Sequence, residues 1–139
     1  MSTPFPGELL VQLTKFQTTV QKRLGGPLSL YGIGLTEFLV LRSLSLAPDY
    51  KMRRIDLAEA VGLSASGVTR VLNPMEKIGL VEKDHVERDA RVRLVALTDA
   101  GKNVFKEARV VFDQAAESLL APVDQKTQQA LADIIGALV

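Results

Sequence analysis

The sequence predicts a mostly α-helical chain with one small β-hairpin. Apolar residues recur at intervals of three or four along most of the 139 residues, as they do on one face of a helix. Residues 80–86 and 91–98 are instead extended candidates, and the four polar or small residues between them predict a hairpin. Aromatic residues form only 5% of the chain, so Leu, Val and Ala supply most of the apolar content, which suits helices.

The composition excludes several kinds of functional site. The chain has no cysteine and one histidine. This rules out disulfides, thiolate metal sites and cysteine nucleophiles, and it argues against a zinc site. The sequence has no phosphate-binding loop and no nucleophile motif, so we expect neither an enzyme nor a cofactor. The formal net charge is only +1, so any signal for nucleic acid must be local.

The location expected from the sequence is the cytoplasm. No apolar run approaches the roughly 18 to 20 residues that cross a membrane. The N-terminal residues lack the basic region and the long apolar core of a signal peptide.

Helices with apolar faces are predicted at both ends of the chain. The first begins at Glu8, and Gly25-Gly26-Pro27 is expected to end it. A long helix follows the hairpin with Thr98 as its N-cap, and a last helix starts at about Asp124. The apolar faces consist of Leu9, Leu13, Phe16, Val20, Leu24, Val104, Phe105, Ala108, Val111, Phe112, Ala115, Leu119, Leu131, Ile134, Ile135 and Leu138. They would be buried either within one subunit or, more fully, across a dimer interface.

Shorter elements are predicted between these ends. Thr36 is expected to cap a helix that continues to about Ser45. Glu37 would then lie at the positive end of the helix dipole, where a carboxylate is favourable. Residues 51–53 are a candidate for a small edge strand.

Two further predicted helices meet at Gly62. This glycine tolerates the positive φ of a tight turn, and Ala58 is small where the two helices would cross. Val68 and Val71 would seat the second helix on the core, and Ser64 would cap it. The spacing of these residues favours a helix-turn-helix over an ordinary helical hairpin, which is the alternative.

The second of these helices is predicted to carry a DNA-binding face. Arg can form two hydrogen bonds with guanine, Asn can do so with adenine, and Ser or Thr can bind phosphates or bases. Residues 64–74 include no acidic side chain that would repel phosphate. Pro74 is expected to bend the helix after Asn73 and to redirect Lys77. The candidate contacts on this helix are Ser64, Ser66, Gly67, Thr69, Arg70, Asn73 and Lys77.

The tip of the hairpin supplies a second candidate contact with DNA. Asp89 lies two residues before Arg91, close enough to fix the direction of its guanidinium. Arg91 would then reach a narrow minor groove together with Arg88. The alternative is a surface ion pair of little energetic value. Asp84 is expected to weaken the attraction of the preceding strand for phosphate.

The segment 57–101 resembles the MarR family of winged helix-turn-helix transcription regulators. The motifs that carry the resemblance are Leu57-Ala58, Gly62-Leu63-Ser64, Val68-Thr69-Arg70, Gly79-Leu80-Val81, Asp89-x-Arg91 and Leu97-Thr98-x-x-Gly101. The resemblance implies one domain over residues 1–139. Within it, a winged-helix DNA-binding lobe would span residues 35–98, and dimerisation helices would span residues 8–30 and 102–139.

The same resemblance implies a homodimer that binds a palindromic operator in double-stranded DNA. Most members of the family are repressors that a small, often phenolic or aromatic, ligand releases from DNA. The ligand pocket would lie between the dimerisation helices and the DNA-binding lobe, near residues 28–38 and the facing part of the helix at Ile55. The alternative function is a winged-helix scaffold or protein-protein dimerisation module without DNA binding, in which Arg70 and Arg91 would be dispensable.

Overall fold

A computed structural model describes residues 5–85 and 93–139 of the chain. In chain order its main elements are α1 (Phe5–Leu28), α2 (Leu35–Leu46), β1 (Lys51–Arg53), α3 (Arg54–Val61), α4 (Ala65–Lys77), β2 (Val81–His85), β3 (Arg93–Leu97), α5 (Asp99–Leu120) and α6 (Gln125–Leu138). Short 3-10 helices occupy Ser29–Tyr31 and Pro48–Tyr50. The predicted fold class, a mostly helical chain with a winged helix-turn-helix core, is confirmed. The predicted contacts Arg88, Asp89 and Arg91 lie outside the described residues.

The three strands form a small antiparallel sheet in the order β1-β3-β2. Met52 of β1 is paired with Val95 of the central strand, so the prediction of an edge strand at residues 51–53 is confirmed. Across β3, the Lys51 ammonium lies 2.5 Å from the carboxylate of Asp84 on β2. A lysine therefore compensates the acidic charge that was expected to repel phosphate along β2.

One hydrophobic core connects α2, α3, α4 and α5 with the sheet. Phe38 of α2 is 1% exposed, and its ring stacks on that of Phe112 from α5 with 4.3 Å between the centroids. Phe105, which is also on α5, has its ring centroid 5.4 Å from that of Phe38. The fully buried side chains of α2 also include Val40, Leu41 and Leu44. Helix α2 therefore lies at the centre of the domain, between α5 and the pair formed by α3 and α4.

Helix α1 extends further than the sequence predicted. Gly25-Gly26-Pro27 was expected to end it, but these residues lie inside the helix, which continues to Leu28. Leu24 and Leu28 are both buried, so packing of the last turn against the core outweighs the low helix propensity of Gly and Pro. At the other end, Pro6 falls in the first turn, where a proline is tolerated.

The prediction that Thr36 caps α2 is wrong. Gly34 occupies the N-cap position, and its carbonyl accepts a hydrogen bond from the Phe38 N–H at 3.0 Å. Thr36 lies inside the first turn, next to Glu37, whose predicted place in that turn is confirmed. Leu35 packs against the core, and this apolar contact sets the start of the helix ahead of the threonine.

The other predicted caps are confirmed, and one of them joins two elements. Gly62 has a φ of 70° after α3, and the Ser64 side chain caps α4. The Thr98 hydroxyl accepts a hydrogen bond from the Gly101 N–H at 3.0 Å and donates one to the Gly79 carbonyl at 2.6 Å. Thr98 therefore ties the start of α5 to the turn that follows α4.

The apolar faces of α1 and α6 remain exposed in the single subunit. Phe16 of α1 is 40% exposed and Ile134 of α6 is 58% exposed. The same faces include Leu9, Leu10, Leu13, Leu131, Ile135 and Leu138, which are also exposed. Packing within one subunit therefore leaves both stripes largely in contact with solvent. Among the described residues no single helix is long and apolar enough to cross a membrane, although residues 5–31 and 35–46, bent by 73° at their junction, meet that test together.

Candidate nucleic-acid interface

Helix α4 is held on the protein by its apolar face. Val68, Leu72 and Met75 are 2%, 2% and 1% exposed. Ala58 of α3 is also buried where the two helices cross, as its small size predicted. Because this face is fixed in the core, the opposite face of α4 must point outward.

Four of the predicted contacts form one exposed stripe on that opposite face. Ser66, Arg70, Asn73 and Lys77 are all exposed. Their separations of four, three and four residues place them within an arc of about 60° around the helix axis. Glu76 lies beside the end of this stripe, but its carboxylate is 3.7 Å from the ammonium of Lys83. The stripe therefore presents hydrogen-bonding and positive groups on one exposed face, and these are the kinds of group that can pair with base edges in a major groove.

Ser64 and Gly67 have a role in the turn before this stripe. The Ser64 hydroxyl accepts a hydrogen bond from the Gly67 N–H at 3.0 Å and lies 3.2 Å from the hydroxyl of Ser66. A Cβ atom at Gly67 would lie 3.1 Å from the Ser64 oxygen and 3.6 Å from the Cβ of Leu63. The missing side chain of Gly67 thus makes room for the N-cap of its own helix.

Thr69 forms a hydrogen bond with Arg54, a residue that was not predicted from the sequence. Its hydroxyl accepts a hydrogen bond from Nη2 of Arg54 at 2.6 Å and donates one to the carbonyl of Ala65 at 3.1 Å. Arg54 is the first residue of α3, immediately after Arg53, so a basic pair at a predicted helix start was the available signal. Thr69 acts as a support for this guanidinium as well as a candidate contact.

Arg54 lies in a cleft between α3, α4 and β3. The cleft has a volume of about 670 Å³, and its charged lining residues are Arg53, Arg54, Glu59 and Arg93. The uncharged lining residues are Ile55, Ala58, Leu63, Ala65, Val68 and Thr69. We call it the arginine cleft.

The arginines of this cleft differ in how far their charge is compensated. Arg53 donates hydrogen bonds of 2.8 and 3.1 Å to the two carboxylate oxygens of Asp56. These bonds lower the pKa of Asp56 and raise the pKa of Arg53, so both groups stay charged and paired. Arg54 is bonded to a neutral hydroxyl instead. Its positive charge is therefore not cancelled by that partner.

Another cavity is lined by residues of α2 and α5. Its volume is about 290 Å³, and it is lined by Phe38, Arg42, Ser45, Leu46, Phe105, Arg109, Phe112 and Asp113. The expected ligand region at residues 28–38 contributes Leu28 and Ile33 to the buried core, and its role in binding a ligand stays a prediction. Phe38 belongs to both regions, because it faces the core and also lines the cavity on the α5 side.

Pro74 does not interrupt α4. The helix is assigned continuously from Ala65 to Lys77, and the Pro74 carbonyl accepts a hydrogen bond from the Ile78 N–H at 3.1 Å. Lys77 is consequently part of the same helical stripe as Arg70.

Known proteins resemble this chain in sequence and in fold. The model of the MarR family matches residues 33–92, which include α2, α3, α4 and β2. The chain is 29% identical over 108 residues to an HTH-type transcriptional regulator, YwaE, of Bacillus subtilis strain 168. That match covers 78% of this chain and 62% of YwaE, so the chain spans less than two thirds of the relative's length.

Two solved structures share the fold over 99% of this chain. Sco3205 of Streptomyces coelicolor, a MarR family transcriptional regulator in complex with DNA, has a TM-score of 0.89 at 19% identity, with 88% of its own chain covered. CouR of Rhodococcus jostii RHA1, bound to p-coumaroyl-CoA, has a TM-score of 0.86 at 18% identity, with 95% of its chain covered. The expectation of a regulator, not an enzyme, agrees with these relatives. The matched segment and the sequence relatives make this protein similar to the MarR family of transcriptional regulators, and the whole chain shares the fold of solved members of that family.

Proposed function

We propose that the protein binds a palindromic operator in double-stranded DNA as a homodimer and represses transcription. The observation that carries this proposal is the exposed stripe of Ser66, Arg70, Asn73 and Lys77 on the face of α4 opposite the core. An α-helix fits the major groove, and Arg and Asn are the side chains that pair with guanine and adenine there. The solved complex of Sco3205 with DNA supports the same use of the fold.

The two ends of the chain support the dimer. In this proposal residues 8–30 and 102–139 are the dimerisation helices, and residues 35–98 are the DNA-binding lobe. The exposed apolar faces of α1 and α6 supply the surface that a second copy would bury. In a two-fold dimer, two copies of α4 would meet half-sites about one helical turn of DNA apart.

The individual contacts divide into base readers and anchors. Arg70 and Asn73 are assigned to base edges, whereas Ser64, Ser66 and Lys77 are assigned to the sugar-phosphate backbone. Gly67 is assigned to the close approach of the start of α4 to DNA. Thr69 is the remaining candidate contact on α4. The hairpin residues Arg88, Asp89 and Arg91 stay in the proposal as the minor-groove contact.

The base-reading role of Arg70 has a direct test. Binding to the DNA upstream of the protein's own gene is measured by electrophoretic mobility shift and footprinting, and base preference by competition with single-substituted sites. Arg70→Ala should cost roughly 1–3 kcal/mol and relax the preference at one position in each half-site. Lys106→Ala on α5 is the control for loss of a positive charge, because Lys106 is exposed and distant in sequence from α4.

The scaffold alternative makes the opposite prediction. If the protein were a dimerisation module without DNA binding, no palindrome would be protected at moderate salt. The Arg70→Ala variant would then behave like the wild type in every assay of assembly.

We further propose that a small phenolic or aromatic anion releases the protein from DNA by binding between α2 and α5. The cavity there combines the rings of Phe38, Phe105 and Phe112 with the guanidinium groups of Arg42 and Arg109. Aromatic walls with a few convergent polar groups are typical of small-ligand pockets. The complex of CouR with p-coumaroyl-CoA is an example of a phenolic acyl group bound by a protein of this fold.

A thermal-shift screen with hydroxybenzoates and hydroxycinnamates tests this effector site. A ligand that binds the folded state raises the unfolding temperature, and at one hundred times its Kd the gain is about 2.7 kcal/mol. We expect Arg42→Ala to abolish the shift and Lys106→Ala to leave it intact. An equal shift in the wild type and in Arg42→Ala would place the ligand elsewhere.

A further inference from the structure

The arginine cleft lies between the two elements that are proposed to enter neighbouring grooves of DNA. Ala65, Val68 and Thr69 from the first half of α4 line it. Arg93, the first residue of β3, lines it as well. Helix α4 is the proposed major-groove reader, and β3 leads out of the hairpin that is the proposed minor-groove contact.

A DNA strand must pass between two such elements. The major groove and the adjoining minor groove are separated by a single sugar-phosphate backbone, so a helix in one groove and a hairpin in the other would lie on either side of it. We propose that the arginine cleft binds this backbone, with Arg54 and Arg93 holding one phosphodiester group. This inference rests on the proposed DNA-binding function.

The charges of the cleft suit a single phosphodiester. Asp56 pairs with Arg53 through two hydrogen bonds, so Arg53 contributes little net charge. Arg54 and Arg93 remain as cations of the cleft lining, and Glu59 opposes them with one negative charge. A guanidinium can offer two parallel N–H donors to a phosphate, so either arginine is suited to this anion.

The apolar lining of the cleft suits the sugar that accompanies the phosphate. Ile55 is 70% exposed at the start of α3 and lines the cleft together with Ala58 and Leu63. An isolated phosphate ion would leave this exposed isoleucine side chain uncovered. The apolar carbons of a deoxyribose would cover it, which favours a nucleic-acid backbone over a free anion as the occupant.

Thr69 is the positioning residue of this contact. Its hydroxyl binds one terminal nitrogen of Arg54 at 2.6 Å and is itself held by the carbonyl of Ala65. The side chain of Arg54 is therefore fixed before DNA arrives, so less side-chain freedom is lost on binding. The other N–H groups of Arg54 remain to bind the phosphate.

The test is the salt dependence of operator binding by the full-length protein. For Arg54→Ala and Arg93→Ala we expect an affinity loss of about tenfold with unchanged base preference. The slope of log K against log salt should also become shallower by about one for each protomer on the DNA. Lys106→Ala should change neither quantity beyond the effect of one distant charge.

A matched pair of variants tests the role of Thr69. Thr69→Ser keeps the hydroxyl that orients Arg54, whereas Thr69→Val keeps the shape and removes the hydrogen bond. We expect Thr69→Ser to bind as the wild type does, and Thr69→Val to lose affinity while retaining the wild-type salt slope, since the Arg54 charge remains. Thermal unfolding of every variant identifies any that are not folded.

The outcomes separate this inference from the proposed function. If the wild type binds no operator, the proposed function fails and the cleft has no backbone to hold. If the wild type binds but Arg54→Ala and Arg93→Ala both keep the slope of Lys106→Ala, the backbone contact is overturned while DNA binding stands. A loss of preference for one base in Arg54→Ala would also overturn it, because the residue would then read a base.

Discussion

Gly101 lies where the first turn of α5 packs closely against the segment that follows α4, and there is no room for a side chain at this position. It is buried in the first turn of α5, where a Cβ atom would lie 2.2 Å from the Leu80 carbonyl oxygen and 2.7 Å from a methyl group of Leu97. Backbone cannot move aside as a flexible side chain can. We expect Gly101→Ala to lower the free energy of unfolding by about 2 kcal/mol or more, measured by urea denaturation.

Gly26→Ala is the matched control for that substitution. Gly26 lies inside α1, and a Cβ atom there would have open space around it. Alanine is the better helix former, so this variant should gain about 0.5–1 kcal/mol of stability. Equal effects of the two substitutions would show that the close contact at Leu80 does not determine the need for glycine.

Residue-level prediction from the sequence worked best where the interaction is local. The caps at Ser64 and Thr98 were predicted correctly because each depends on an N–H group three residues ahead. Thr36 was misassigned because a tertiary contact of Leu35 sets the start of α2. Arg54 was missed because its partner, Thr69, lies 15 residues away on the next helix.

At the scale of elements, α4 contains a proline, Pro74, that is expected to lower the stability of the helix. Pro74 is exposed within the helix and cannot donate a hydrogen bond to the carbonyl of Arg70. Replacing it with alanine would restore this donor and remove the steric conflict of the ring. We expect Pro74→Ala to raise the free energy of unfolding by about 1–3 kcal/mol in a denaturant titration.

The affinity of Pro74→Ala for the operator tests the prediction that Pro74 bends α4 after Asn73. If Pro74 directs Lys77 toward DNA, Pro74→Ala should bind less tightly although it is more stable. Lys77→Ala is the comparison, since it removes the side chain and leaves the proline in place. A variant with neither a gain in stability nor a change in affinity would contradict the account given for this proline.

The elements of the central lobe were predictable, but the full extent of α1 was not. The helix pair α3–α4 and the strands carry turn signals such as Gly62 and Gly79, both of which have positive φ. The Gly25-Gly26-Pro27 sequence looks like the same kind of signal, yet it is helical. Its effect is cancelled by burial of Leu24 and Leu28, and a single sequence does not reveal what lies opposite these two residues.

At the scale of the whole molecule, the prediction concerns assembly. If α1 and α6 bury their apolar faces against a second copy, a charge in that face should separate the subunits. We expect Ile134→Glu to shift the sedimentation coefficient toward that of a monomer. The unfolding temperature should fall, and it should no longer depend on protein concentration. Lys126→Glu, also on α6 but with an exposed polar side chain, should assemble normally.

A dimeric Ile134→Glu protein would contradict this assignment of the interface. The wild-type protein would then have to bury its apolar faces differently. The DNA-binding prediction for Arg70 would be unaffected at the level of one half-site.

The joint at Thr98 has a mechanical consequence. Thr98 and Gly101 hold the Gly79 and Leu80 carbonyls against the first turn of α5, so the end of α4 moves with that helix. With 22 residues, α5 is about 33 Å long. A tilt of about 5° around its distant end would carry the joint through about 3 Å. If the protein forms the proposed two-fold dimer, the same tilt in the second copy would change the separation of the two α4 helices by up to twice that distance, and this separation must match the spacing of the two DNA half-sites.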